Sequence, residues 1–142
     1  MRGYPLLILT TLLLSGCSQG ERTMTSKINQ GCSDKPNCVS TLESREDYKL
    51  EPYVLRAEVN IEQIEHAALQ LPGAKTAEKS DDYLRIECTS KIMRFVDDLE
   101  LKIDGNQLMV RSESRVGYSD FGVNRKRAEQ LRTLLSQANL LQ

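Results

Sequence analysis

Leu99-Glu100-Leu101-Lys102-Ile103-Asp104-Gly105-Asn106-Gln107-Leu108-Met109-Val110-Arg111 is the stretch that decides the fold. Leu99, Leu101 and Ile103 alternate with Glu100, Lys102 and Asp104; a turn of Asp104-Gly105-Asn106 follows, and Leu108 and Val110 resume the apolar register. A period of two on both sides of a glycine turn is a β-hairpin with one apolar and one charged face. Upstream, Leu84, Ile86, Cys88 and Ile92 alternate with Tyr83, Arg85, Glu87 and Lys91, which adds a strand of the same two-sided kind. Tyr53, Leu55, Ala57 and Val59 mark a further short strand. The charged face, carried on by Arg111, Glu113 and Arg115, is expected to pair across strands in solvent.

An apolar sheet face has to be covered, and two segments have the spacing to cover it. Asn60 and Gln63 form a capping box ahead of Ile61, Ile64, Ala68 and Leu71, and Pro72-Gly73 ends that helix. A second helix is expected from about Asn124, as its cap, to Leu140, with Ala128, Leu131, Leu135 and Ala138 at helical spacing. The expectation is an α+β two-layer sandwich, an antiparallel sheet of four to five strands with two helices on one face.

Ahead of this domain the chain reads as export machinery. Met1-Arg2 precedes an apolar run from Leu6 to Leu14 that ends in Ser15-Gly16-Cys17. The run is far shorter than the roughly 20 residues a spanning helix needs, and its small-residue end is that of a cleaved leader. Leu14-Ser15-Gly16-Cys17 resembles the bacterial lipobox, which implies a signal peptide over 1–16 and diacylglyceryl and acyl (palmitate-like) chains on Cys17. Ser18, where aspartate would favour inner-membrane retention, points to the outer membrane in a cell that has one. Residues 17–30 are polar and small and read as a lipidated tether, leaving 31–142 as one domain in the periplasm or otherwise outside the cytoplasm.

In that oxidising setting Cys32 and Cys38, either side of Pro36-Asn37, are placed to form a disulfide. A zinc site competes poorly, since there is no second cysteine pair and His66 is the one histidine. Cys88 reads as a buried thiol. The formal net charge of −1 and pI near 5.9 supply no basic field for nucleic acid. No metal, cofactor or catalytic residue is assigned.

One segment departs from simple alternation. Arg125, Lys126 and Arg127 stand in the first turn of the last helix, where the helix dipole disfavours cations by about 0.3–1 kcal/mol each. Two compensations are open: Asp97, Asp98 and Asp120 pair with Arg115, Arg125 or Arg127 as a latch, or Arg115, Tyr118, Asp120, Asn124 and Arg125 bind an anionic ligand or an envelope partner. Adjacent Asp97 and Asp98 point to opposite faces of a regular strand, and Ser114 and Ser119 have no histidine near them in sequence.

Cys38-Val39-Ser40, Phe95-Val96-Asp97-Asp98-Leu99-Glu100 and Ser114-Arg115-Val116-Gly117-Tyr118-Ser119-Asp120, running into Asn124-Arg125, resemble the domain of unknown function 1499 family from about Cys32 to Leu135. The resemblance marks Cys32, Asn37, Cys38, Asp97, Asp98, Arg115, Tyr118, Asp120, Asn124 and Arg125 without giving them roles, and Cys88 departs from a larger residue there. The chain is thus read as an envelope lipoprotein anchored in the cell or outer membrane, a noncatalytic binding or interaction module. The competing reading is an envelope enzyme acting on a lipid, glycan or peptide through Asp97, Asp98 or Tyr118.

Overall fold

The computed structural model describes residues 24–142; the leader, Cys17 and the start of the expected tether lie outside the described residues. Its elements run β1 (Cys38–Ser40), β2 (Tyr53–Val54), α1 (Ile61–Ala68), β3 (Ala74–Lys79), β4 (Tyr83–Thr89), β5 (Val96–Asp104), β6 (Gln107–Ser114) and α2 (Val123–Gln137). The hairpin forms in the expected register, with Ile103 opposite Leu108, Leu101 opposite Val110 and Leu99 opposite Ser112. Around it the strands lie in the order β1-β6-β5-β4-β3, all antiparallel, and β2 joins the outer edge of β6 beyond β1.

Both helices lie on the apolar face. Ile61, Ile64, Ala68, Leu131 and Leu135 pack with Leu84, Ile86, Leu99, Leu101 and Val110 in one core. Tyr53 is buried there too; its hydroxyl donates to the Ala128 carbonyl at 2.7 Å, and burial pushes its pKa up to about 12. Cys88 is a buried free thiol on the same face, and burial pushes its pKa up too, so it stays protonated and unreactive at neutral pH.

The sheet has six strands, where the sequence gives reason for four to five. Ala74-Lys75-Thr76-Ala77-Glu78-Lys79 holds only one β-branched residue and no aromatic, so β3 lacks the usual strand signature and is held on the edge by pairing with β4. The three residues of β1 are too few to show a period. The alternation at 53–59 yields only Tyr53–Val54 as strand: Leu55 bridges to Leu141, and Glu58 in a left-handed conformation (φ 64°) then turns the chain toward α1. Ile92 is not in β4 but in the loop after it, 89 % exposed. Gly73 at φ +68° fixes the turn into β3: a Cβ there would lie 2.1 Å from the Thr89 carbonyl oxygen.

The charged face also differs from the sequence expectation. Arg85, Glu100 and Arg111 are buried, not solvated. Residues 24–28, the end of the segment read as tether, lie over them: the Lys27 amide donates to both Glu100 oxygens at 3.0 and 3.1 Å, Lys27 Nζ meets Glu113 at 2.9 Å, and Ile28 is buried. The charges pair across strands as expected, Arg111 with Glu113 at 2.8 Å and Arg85 with Asp98 at 3.2 Å. Burial works against the Glu113 carboxylate, but hydrogen bonds from Arg111 and Lys27 outweigh it and hold its pKa below the usual range.

Candidate functional site

The segment at the end of β6 and the start of α2 divides into a buried half and an exposed half. Its centre is Asn124, which is not the helix cap expected from the sequence. Gly122, left-handed at φ 81°, takes that position. Asp120 does the capping chemistry, its carboxylate accepting from the Gly122 amide at 2.9 Å and the Asn124 amide at 3.0 Å. A carboxylate there also opposes the unfavourable placing of Arg125, Lys126 and Arg127 in the first turn.

Freed from capping, Asn124 is 0 % exposed and ties four segments together. Its amide nitrogen reaches the Asn37 carbonyl at 3.1 Å, Ser114 Oγ at 2.8 Å and Asp120 Oδ2 at 2.8 Å. Its amide oxygen accepts from Ser112 Oγ and from Arg127, both at 2.6 Å. Arg127 then pairs with Asp97 at 2.6 Å, both side chains almost buried. Buried polar groups this well matched lock an arrangement, since removing any one strands the others.

The other face of β5 holds a separate pair. Arg115 meets Asp98 through two hydrogen bonds of 2.7 Å and Glu87 through one of 2.6 Å. The hydrogen bonds to Asp98 hold its guanidinium pKa above the ordinary value. Asp97 and Asp98 thus point to opposite faces, each against an arginine, and do not converge as an acid/base pair.

The residues considered together for anion or partner binding are therefore dispersed. Asp120 and Asn124 belong to the buried network, and Arg115 belongs to the charged face. Arg125 reaches the Asp47 carbonyl at 3.1 Å and, with Lys126, Tyr48 and Asp120, lines a cleft of about 420 Å³ beside the disulfide loop. Tyr118 is 70 % exposed, makes no side-chain hydrogen bond among the described residues and does not line that cleft. Cys32 and Cys38 are bridged, with Cα atoms 5.7 Å apart. Among the described residues no group of three His, Cys, Asp or Glu is placed to hold a metal, and no helix is long and apolar enough to cross a membrane.

Sequence reasoning missed two sets of residues. Ser112 and Ser114 continue the inward register of Leu108 and Val110, so two hydroxyls on the core side of a strand were the available signal for a buried polar network. The other set is apolar and exposed: Ile92, Met93 and Phe95 after β4, and Val116, Phe121 and Val123 beside Tyr118 after β6. Large apolar residues in segments otherwise built of Gly, Ser, Asp and Arg were its signal.

A family model described as a protein of unknown function (DUF1499) matches residues 30–135, taking in the disulfide loop, the Asn124 network and both apolar loops. None of the curated proteins compared with the chain matches it.

Proposed function

We propose, for a chain that belongs to the DUF1499 family, the role of a lipid-anchored cell-envelope protein that acts by binding, without catalysis. One observation carries the binding half of this reading. Of the signature residues, Asp120 and Asn124 bond each other, Asp97 joins them through Arg127 and Asp98 pairs with Arg115, while Val116 and Tyr118, with Phe121 just beyond the segment, face solvent. Groups already paired in this way are poorly placed to donate or accept protons from a substrate, whereas a rigidly held apolar loop suits recognition. The anchor half is supported by Leu14-Ser15-Gly16-Cys17 at the end of the apolar leader. Several acyl chains hold a protein to a bilayer far more firmly than one. Outer-membrane attachment, with the domain in the periplasm, is the setting favoured by Ser18.

The test is the mass of the amino-terminal peptide from the membrane fraction of a producing bacterium. The expected result is a chain beginning at Cys17 and carrying diacylglyceryl and acyl groups, with Cys17→Ser abolishing both. An unmodified Cys17 in soluble protein would overturn the anchor.

A further inference from the structure

Of the ten large apolar side chains exposed among the described residues, six stand in two loops at one end of the sheet, and a seventh, Val123, opens the helix that follows the second loop. The loops are neighbours: the Arg115 amide donates to the Val96 carbonyl at 3.3 Å, so 90–95 and 115–122 leave adjacent strands side by side. The disulfide loop is at the same end, its Pro36 carbonyl accepting from the Asp120 amide at 3.1 Å. Phe121 and Ile92, 94 % and 89 % exposed, project outward and do not line a groove.

The unpaired charges divide along the same axis, the exposed Asp34 of the disulfide loop being paired with Arg45 at 2.9 Å. Lys35, Lys91 and Arg94 are exposed in these loops and take part in no ion pair among the described residues. The turns at the opposite end, 80–82 and 104–106, expose Asp81, Asp82 and Asp104 and none of the ten apolar side chains.

We propose that the apolar end is a membrane-docking surface. Resting on the lipid-anchor reading above, it enters the interface of an anionic bilayer through Ile92, Met93, Phe95, Val116 and Phe121, with Lys35, Lys91 and Arg94 against the phosphate headgroups. The position at which the described chain begins selects a membrane over another occupant. Met24 lines the same two clefts as Asp98 and Glu113, on the charged face. Asp98 is three residues from the 90–95 loop and six from Asp104, which at about 3.3 Å per residue is roughly 10 Å from the apolar end and 20 Å from the acidic one. Cys17 precedes Met24 by seven residues, a reach of at most about 25 Å. A lipid on Cys17 thus brings the apolar end to the bilayer with slack remaining, whereas facing the acidic end to it takes nearly the whole reach and sets carboxylates against phosphates. Each large side chain transferred from water strengthens docking by about tenfold or more, and each headgroup contact with a cation adds to it.

The test uses the full lipidated chain in vesicles of phosphatidylethanolamine and phosphatidylglycerol. An environment-sensitive fluorophore is placed on Phe121→Cys or Met93→Cys and, as control, on Asn106→Cys; the native thiols are lipidated, bridged or buried. Blue-shifted emission and quenching by nitroxide lipids at 121 and 93, with water-like emission at 106, is the expected result. Water-like emission at all three positions overturns docking, and so does shielding of 121 in native membranes but not in pure lipid, which would make the occupant a protein. The mass of the same sample separates the two levels. Lipid on Cys17 with an aqueous probe defeats docking alone, and a missing lipid defeats the anchor and the proposal together.

Discussion

At the acidic end of the sheet, β3 turns into β4 through Ser80-Asp81-Asp82, and β5 into β6 through Asp104-Gly105-Asn106, with Gly105 at φ +59°. At the apolar end the connections at 32–37, 90–95 and 115–122 are longer: the first is closed by the Cys32–Cys38 bridge, the third is held through Asp120 by the Asn124 network, and 90–95 is closed by the Ser90 amide on the Phe95 carbonyl and the Phe95 amide on Ser90 Oγ. Short turns are set by the residues in them, whereas long loops keep one shape only when tertiary bonds hold them. A network of buried polar groups bonded to the loop that exposes Tyr118 and Phe121 is a scaffold for display, and the signature segment contains both Asp120 and Asn124 of the scaffold and Tyr118 of what it displays.

This contrast can be broken most forcefully at Asn124. Asn124→Ala leaves Ser112, Ser114, Arg127 and the Asn37 carbonyl short of partners, and is expected to cost about 3 kcal/mol, read as a lowered urea midpoint. Opening the bridge with Cys32→Ser and Cys38→Ser comes next, at about 2 kcal/mol for so short a loop, again by urea unfolding. At the other end Gly105→Ala, with open space around its Cβ but a left-handed backbone, is expected to cost about 1 kcal/mol in a thermal melt. Phe121→Ser is the smallest, within about 0.5 kcal/mol, because the side chain is solvated on all sides. A Phe121→Ser loss as large as that of Asn124→Ala would mean that the exposed half of the signature is structural after all.

The same contrast decides what was legible in the sequence. The hairpin, the capping box of α1 and the core face of β4 can be read because each is a local period or turn code. β3 is not legible, since an edge strand of Ala, Lys, Thr and Glu owes its shape to β4. Asn124 has the chemistry of a cap, and only its neighbours in space reveal that Asp120 caps the helix while Asn124 binds it to β6 and to Asn37. Residues 24–28 show the same limit, for a polar segment with one isoleucine gives no sign that it will lie on buried arginines. Arg115, Tyr118 and Arg125, close in sequence, diverge to the charged face, to solvent and to a cleft, because a loop and a helix start separate them.

The most direct measurement is amide hydrogen exchange on the lipidated chain bound to anionic vesicles, set against a secreted form lacking Cys17. Slowed exchange confined to 91–95 and 116–121, with 81–82 and 104–106 unchanged, is the predicted result. Equal exchange in the two forms at both ends, or slowing at the acidic end, would contradict it.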